Sequence, residues 1–209
     1  MLVVLVGIDG AGKSTAARLV QERVLLSGRR LLLLQNHSGR RTISTWCLRL
    51  NVRLHPRLAD LVETAIRVGH VLVNHHRAHR FDGIVLMDRH LYCQLALRDV
   101  RGLPRGRLLP WLLRQLPQPD LVILFDTSPG RAQARIKRRG TDEESLQFLD
   151  AFSAAYRALP EYSTFATVAA DGTPTETTDQ VVELLHERCP AVCRATEPGD
   201  PQTWIQVEA

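Results

Sequence analysis

Eight consecutive residues near the start of the chain combine glycine, lysine and serine at a spacing that suits phosphate chemistry. They read Gly-Ile-Asp-Gly-Ala-Gly-Lys-Ser from Gly7 to Ser14, which fits glycine, any four residues, glycine, lysine and serine. Glycines let the backbone curl so that successive amide hydrogens point inward at phosphate oxygens. Lys13 can then reach the β and γ phosphates, and the hydroxyl of Ser14 can bind Mg²⁺. The segment predicts a site for a nucleoside triphosphate with magnesium.

We predict that the nucleotide contacts this loop and one later turn. The predicted contacts are Gly7, Asp9, Gly10, Ala11, Gly12, Lys13, Ser14, Thr15, Asp171 and Gly172. The absence of an Asn-Lys-X-Asp guanine signature from the sequence disfavours a GTPase. The choice between ATP and GTP as the donor stays open at this point, with ATP expected.

Asp88 and Arg89 form a second candidate pair, directly after an apolar run at residues 83–87. Ligands gather at the carboxyl ends of the strands in open parallel sheets. A carboxylate at that point suits magnesium, directly or through water, and a guanidinium suits bidentate capture of a phosphate on the acceptor. The alternative is a plain surface salt bridge between the two side chains. The predicted metal ligands are Ser14 and Asp88.

Short apolar runs alternate with helix-compatible segments along the chain. The predicted strands are residues 2–6, 30–34, 83–87, 121–125 and about 164–169. Helices are expected from residue 13 to about 27, from about 57 to 80, and after the last two strands. Parallel strands need helical crossovers, so this alternation predicts an α/β fold with a parallel sheet covered on both faces.

The segment from about residue 57 to 80 predicts one long amphipathic helix. Apolar residues recur there at steps of three and four, namely Leu61, Ala65, Val68, Leu72 and Val73. Histidines on the same segment include His75 and His79, but without a suitably placed acid we interpret them as a solvated face and not as a metal site.

Composition limits the classes of protein that the chain can represent. Its 209 residues suit one domain, which we assign to residues 1–188, followed by an irregular tail at 189–209. The net charge is +5, yet no basic run with interleaved aromatics suggests a nucleic-acid partner. Without a membrane span or a leader, and with scattered cysteines expected to be free thiols, we expect a cytoplasmic protein.

With these motifs in place, the sequence resembles the thymidylate kinase family. That family's phosphate loop often reads G-x-D-G-x-G-K-S-T, and its third strand closes with D-R-Y or D-R-H, as Asp88-Arg89-His90 does here. The separation between Arg67 and Asp88 is similar too, as are residues 119–126 and 135–156. The resemblance covers residues 1–188. It implies a P-loop NTPase fold with five parallel strands, a mobile arginine-bearing lid at about 136–145, and a homodimer.

The resemblance also implies roles for individual residues. Asp9 would contact the sugar hydroxyl of the acceptor, Arg67 its base and Arg89 its phosphate, while Lys13 would contact the transferred phosphoryl group. In one branch of the family the phosphate loop has glycine or alanine where other members have an arginine, and the lid supplies the missing cation. Gly10-Ala11 resembles that branch. The candidates for that cation are Arg135, Arg138 and Arg139, which together with Lys13, Asp88 and Arg89 form the predicted catalytic set. A solvated helix face is the alternative for the three lid arginines.

Three departures from the family pattern all fall on the acceptor side. Glu63 stands where the family usually has a phenylalanine that stacks on thymine. A carboxylate cannot stack but can accept hydrogen bonds, so Glu63 is a candidate acceptor contact or else a plain exposed helix residue. The loop at residues 35–41 and the stretch at 91–98 also differ from the family.

The sequence therefore predicts an ATP- and Mg²⁺-dependent phosphotransferase whose acceptor is a small molecule. The first choice of acceptor is a nucleoside monophosphate, with dTMP, converted to dTDP, as the best single candidate. A kinase of a nucleoside or another hydroxylated metabolite is the second interpretation, and a non-catalytic nucleotide-binding regulator is the third. An assay of ADP release across acceptors separates the three.

Overall fold

Five parallel strands form the centre of the computed structural model, which describes residues 1–36, 56–140 and 144–188. In chain order they are β1 (Leu2–Val6), β2 (Leu31–Gln35), β3 (Ile84–Asp88), β4 (Leu121–Asp126) and β5 (Ala166–Ala169). They lie in the order β2-β3-β1-β4-β5, and every pairing is parallel. All carboxyl ends therefore meet at one edge of the sheet, which is where the predicted site residues lie.

Helices connect the strands and cover the sheet. They are α1 (Lys13–Leu26), α2 (Pro56–His79), α3 (Leu91–Val100), α4 (Leu108–Gln115), α5 (Pro129–Arg139), α6 (Leu146–Arg157) and α7 (Pro174–Arg188), with a 3-10 helix at Pro160–Thr164 before β5. On the two faces of the sheet, α1 packs against α7 and α3 packs against α6. Since both faces are covered, the central strands β1, β3 and β4 are nearly continuous apolar runs.

The hydrophobic core fixes the strand that carries the phosphate loop. Each of the five residues of β1 is buried, and so is each residue of β3. Because β1 lies between β3 and β4, its end is held on both sides by ladder hydrogen bonds, with Leu5 opposite Asp88 and Val6 opposite Leu124. The loop that follows β1 therefore starts from a rigid position beside Asp88.

The predicted α/β fold with a five-stranded parallel sheet is confirmed. The first strand matches the prediction, and the next two strands begin one residue later than predicted. The prediction for the fifth strand was wrong at its start, because Thr164 closes the 3-10 helix and β5 begins at Ala166. Pro160 explains the difference, since its fixed φ favours a helical first turn and the short helix consumes the residues up to 164.

The long helix α2 is confirmed, but its apolar stripe does not face the sheet. Leu61 and Val73 are 63% and 58% exposed, while the opposite face is buried and carries acids, arginine, asparagine and histidine. The helix therefore carries polar groups beside Val68 and Val71 on its inner side and large apolar residues on its outer side. Hydrophobic periodicity predicts the helix, but it does not predict which face of the helix packs against the rest of the protein.

Some predictions fall outside the described residues. These are the tail at 189–209, most of the loop at 35–41, and residues 141–143 of the predicted lid. The assignment of residues 1–188 to one domain and the lid assignment stay predictions. No helix within the described residues is long and apolar enough to cross a membrane.

Candidate active site

The phosphate-binding loop between β1 and α1 adopts the curled backbone that its glycines permit. Gly7, Gly10 and Gly12 have φ values of 138°, 82° and 89°, a region that L residues rarely adopt. Gly12 then caps α1, whose first turn begins at Lys13. The positive end of that helix and the inward amides make the loop a preformed anion site.

The ammonium group of Lys13 lies inside this loop. It donates hydrogen bonds to the carbonyl oxygens of Gly7 at 2.8 Å and Ile8 at 2.7 Å. Burial lowers the pKa of Lys13, and the neighbouring Arg89 charge lowers it further, while Asp9 and Asp88 oppose the shift. The side chain is thus held by the loop backbone at the mouth of the predicted triphosphate site.

Ser14 and Asp88 are adjacent, as predicted for a magnesium site. The Ser14 hydroxyl donates to Oδ2 of Asp88 at 2.6 Å. The other carboxylate oxygen, Oδ1, is buried and has no hydrogen-bond partner. An unpaired buried carboxylate oxygen beside a hydroxyl is an all-oxygen donor set, which is the chemistry that Mg²⁺ prefers. The residues present therefore fit magnesium.

Arg89 pairs with Asp9 across the end of β1, and not with its neighbour Asp88. Its guanidinium donates to the Asp9 carboxylate. Burial acts against the charge of Arg89, but Asp9 together with Cys93, Asp88 and Tyr156 outweighs it, and the pKa of Arg89 is raised. The backbone of Arg89 has φ 72°, and its carbonyl oxygen accepts a hydrogen bond from the side-chain amide of Asn36. The alternative prediction of a surface salt bridge between Asp88 and Arg89 is therefore wrong.

An open cleft of about 700 Å³ connects these residues with α5. Asp9 is the carboxylate on its lining, against six cationic side chains from the loop, the end of β3 and α5, namely Lys13, Arg89, Arg131, Arg135, Arg138 and Arg139. The excess of positive charge suits a polyphosphate. Thr15 also lines this cleft, so eight of the ten nucleotide contacts predicted from sequence lie around one space, and Gly7 and Asp171 are not on its lining.

The arginines of α5 divide into two groups. Arg135 donates to the carbonyl oxygens of Ala170 at 2.7 Å and Gly172 at 2.9 Å, so its guanidinium is fixed against the turn after β5. Arg138 and Arg139 are exposed on the last turn of the helix and line the cleft. This position is consistent with a role for these two in the lid, which stays a prediction.

Asp171 and Gly172 lie at the same turn but face different ways. Gly172 lines the cleft. The Asp171 carboxylate instead accepts hydrogen bonds from the Thr127 hydroxyl at 2.6 Å and the Ser128 amide at 2.8 Å, and the Thr127 bond is the first cause that lowers its pKa. The side chain of Asp171 therefore ties the turn to the start of α5.

The predicted acceptor residues Glu63 and Arg67 are buried on the inner face of α2. Arg67 is 2% exposed, and its Nη2 lies 3.5 Å from Oε1 of Glu63. Glu63 also accepts a hydrogen bond from Arg101 at 2.9 Å, so the alternative of an exposed helix residue is wrong. The Nε and Nη1 atoms of Arg67 are buried without a partner.

His90, which follows Arg89, belongs to a buried pair. Its Nε2 lies 2.9 Å from Nε2 of His75, and burial followed by the His75 charge lowers the pKa of His90 to about 3. Burial lowers the pKa of His75 too. Within the described ranges no three His, Cys, Asp or Glu side chains group as a metal site. The interpretation of the helix histidines as a solvated face is wrong for His75, which is buried, whereas His79 is exposed.

Several site residues escaped the sequence analysis. Arg131 lines the cleft and bonds to the Asp171 carbonyl; its spacing of four from Arg135 on one helix could have revealed it. Arg101, at the end of α3, donates to the predicted acceptor residue Glu63, and Gln94 on α3 donates to Asp60 and Thr64 on the same face of α2. Only three-dimensional contacts show this. Tyr156 is buried beside Cys93, and burial raises the pKa of its hydroxyl.

Comparisons with known proteins agree with this geometry. The chain is 29% identical over 187 residues to a protein of Pyrobaculum aerophilum described as "Probable thymidylate kinase", covering 88% of this chain and 95% of that one. It is 33% identical over 145 residues to the thymidylate kinase of Xanthomonas oryzae pv. oryzae, covering 67% and 62%. The family model for thymidylate kinase matches residues 5–181. With most of its length matched by that model, this chain belongs to the thymidylate kinase family.

Proposed function

We propose that the chain transfers the γ-phosphoryl group of ATP to the 5′-phosphate of dTMP, giving dTDP and ADP. An oxygen of the acceptor phosphate attacks the γ-phosphorus, and the bond to the β-phosphate oxygen breaks as ADP leaves. The observation that carries the proposal is that Lys13 and the Asp9–Arg89 pair line one cationic cleft. Donor and acceptor phosphates can therefore be aligned in one space, which is most of what phosphoryl transfer requires.

Each loop residue has a distinct task in this reaction. The backbone amides of the loop hold the β and γ phosphates, and the Lys13 ammonium moves from the Gly7 and Ile8 carbonyls to a phosphate oxygen. Ser14 and the unpaired Oδ1 of Asp88 would hold Mg²⁺. When bound, the metal offsets charge on the β and γ phosphates. Arg89, held by Asp9, binds the acceptor phosphate as a planar fork.

Buried hydrogen-bonding groups between α2 and α3 support an acceptor base with a ring carbonyl next to a ring N–H. Gln94 donates through Nε2 to Asp60 at 3.3 Å and Thr64 at 2.9 Å. Since a carboxylate only accepts, this fixes the amide orientation and leaves Oε1 of Gln94 as a buried acceptor without a partner. Arg67 adds unpaired donors. Thymine, uracil and guanine can fill this set with a ring N–H directed at Oε1 of Gln94 and a ring carbonyl directed at Arg67, so the buried groups accommodate the base of dTMP.

An acceptor panel tests the proposal directly. Purified protein is incubated with ATP, Mg²⁺ and dTMP, dUMP, dGMP, dCMP, dAMP or thymidine, while ADP release is followed and products are identified by mass. We expect dTDP from dTMP and the highest kcat/KM for that acceptor, with no turnover in the K13M variant. A preference for dCMP, dAMP or thymidine, or ADP release that no acceptor increases, contradicts the proposal.

The outer face of α2 supports a homodimer. Leu58, Leu61, Leu72 and Val73 are exposed along one stripe, with Ala65 and Gly69 between them. Small residues at the centre of an apolar stripe allow a second copy of the helix to approach closely across a two-fold axis. We expect a dimer mass by light scattering, reduced to a monomer by L61E and unchanged by the control L26E, since Leu26 is exposed on α1. A monomer in the unmodified chain contradicts this assignment.

A further inference from the structure

Two acids and three arginines form a buried cluster between α2 and α3. Asp60 and Glu63 lie on the inner face of α2, and their carboxylates are about 95% buried. Arg101 bridges the two acids, with 3.3 Å to Asp60 and 2.9 Å to Glu63, and Arg98 lies 3.7 Å from Asp60. Arg67 completes the cluster from the next turn of α2. We call these five residues the acid–arginine cluster.

Glu63 uses both of its carboxylate oxygens inside this cluster. Oε1 accepts from Arg67 and Oε2 accepts from Arg101. The side chain is buried and therefore does not offer its oxygens to an acceptor molecule in the cleft. The position where the family usually has an aromatic side chain is thus occupied by a charge that binds protein groups only.

The contact with Glu63 determines how Arg67 is aimed. A guanidinium is planar and rigid, so a contact at Nη2, together with the attachment of the side chain to α2, orients Nε and Nη1. Those two nitrogens are the ones left buried without a partner. A buried donor that stays unpaired costs free energy, so this arrangement is stable only when a ligand oxygen completes it or when the cluster holds it in place.

We propose that Glu63 is a positioning residue for the acceptor, which acts through Arg67. In this chain an ionic bridge from Arg101 through Glu63 to Arg67 replaces the stacking of a base on an aromatic ring. Acceptor recognition then depends on hydrogen bonds to the edge of the base, with Glu63 holding the donor group at the required angle. The inference rests on the proposed function, because it assigns Arg67 to the acceptor.

A double-mutant cycle with kinetics as the readout tests this role. In E63Q the new amide group presents N–H donors to two arginines that need an acceptor, so one of them is released. We expect the KM for dTMP to rise about tenfold, the size that losing a hydrogen bond to a charged group brings, with little change in the KM for ATP. The control E22Q, at an exposed position of α1, should leave both constants unchanged.

The E63Q/R67Q double variant distinguishes a positioning role of Glu63 from a purely structural role. If Glu63 acts through Arg67, E63Q should add little to the KM of R67Q, since the group that it aims is already gone. Additive effects in the double variant, or an equal rise in the KM for ATP, overturn the proposal. Thermal unfolding is measured on each variant, because a buried arginine without its acid can destabilise the fold.

A milder variant keeps the proposal testable if E63Q does not fold. R101Q breaks the outer half of the bridge at a side chain that is 26% exposed, and we expect a smaller rise in the KM for dTMP only. An unchanged KM for dTMP in a folded R101Q protein overturns the proposal that the bridge positions Arg67. Failure of the proposed function is seen separately, because the unmodified protein would then not phosphorylate dTMP at all.

Discussion

Replacing Gly10 with alanine tests the contact between the phosphate-binding loop and α5. Gly10 has φ 82°, and an added Cβ would lie 2.4 Å from the carbonyl oxygen of Ala132 and 2.9 Å from its carbonyl carbon. Both are backbone atoms of α5, so no side chain can rotate away to make room. Either the loop or the helix that carries Arg135 must move.

The size of the effect follows from two costs. A left-handed backbone costs an L residue about 1–2 kcal/mol, and forcing an extra methyl into packed structure costs about 1–3 kcal/mol more. The sum of about 2–5 kcal/mol corresponds to a fall in Tm of roughly 4–20 °C at this chain length. The matched control is G28A, because Gly28 has φ 72° but no atom within 4 Å of the added Cβ. Its expected fall is about 2–8 °C.

The assay combines thermal unfolding with ATP affinity measured by calorimetry. We expect G10A to unfold at a lower temperature than G28A, and to lose most of its ATP affinity because the amides around residue 10 no longer converge. G28A should bind ATP as the unmodified chain does. If the two variants unfold at the same temperature and bind ATP equally, then the close contact of Gly10 with α5 does not support the loop, and the reasoning is refuted.

Three further predictions address the metal, acid stability and the donor side. D88N should abolish the Mg²⁺ dependence of ATP binding, seen by titration with and without the metal, since the amide offers one oxygen fewer; retained metal dependence would contradict the assignment. The pKa of His90 is about 3 in the folded chain, against about 6.5 in the unfolded chain, so the unfolded chain takes up a proton first as the pH falls. The free energy of unfolding therefore decreases from about pH 6.5 to about pH 3, by about 1.4 kcal/mol per pH unit. A folded H90Q variant should therefore show a flatter Tm profile between pH 6 and pH 4, and an unchanged slope would remove His90 as the cause. R135A should raise the KM for ATP about tenfold and leave that for dTMP unchanged, while R114A, on the exposed face of α4, should change neither constant. Equal KM values for ATP in R135A and R114A would contradict this role.

Local signals made the donor side predictable from sequence. The phosphate loop requires glycines at fixed spacing and a strand before it, and both are visible within residues 2–14. Asp88 follows an apolar run, and the parallel sheet brings it beside Ser14 although 74 residues separate them. Local patterns plus one rule of sheet topology are enough for this half of the site.

The acceptor side depends on contacts that no local pattern shows. Glu63 looked like a candidate contact or an exposed residue, because its partner Arg101 lies 38 positions away and at the end of a different helix. The inward polar face of α2 has the same cause, since charges buried there are compensated by arginines from α3 and its end. Periodicity gives a helix its two faces, but only the neighbouring elements decide which of them is covered.

The left-handed backbone of Arg89 has a consequence for any attempt to make this protein more heat-resistant. Among the described residues it is the non-glycine position with positive φ, a conformation that costs free energy and that glycine or asparagine adopts more readily. Substitution to either would relieve the backbone while removing the guanidinium that faces Asp9. Selection for thermal tolerance alone would therefore favour inactive variants at residue 89, and a screen of this chain needs a turnover measurement beside its melting curve.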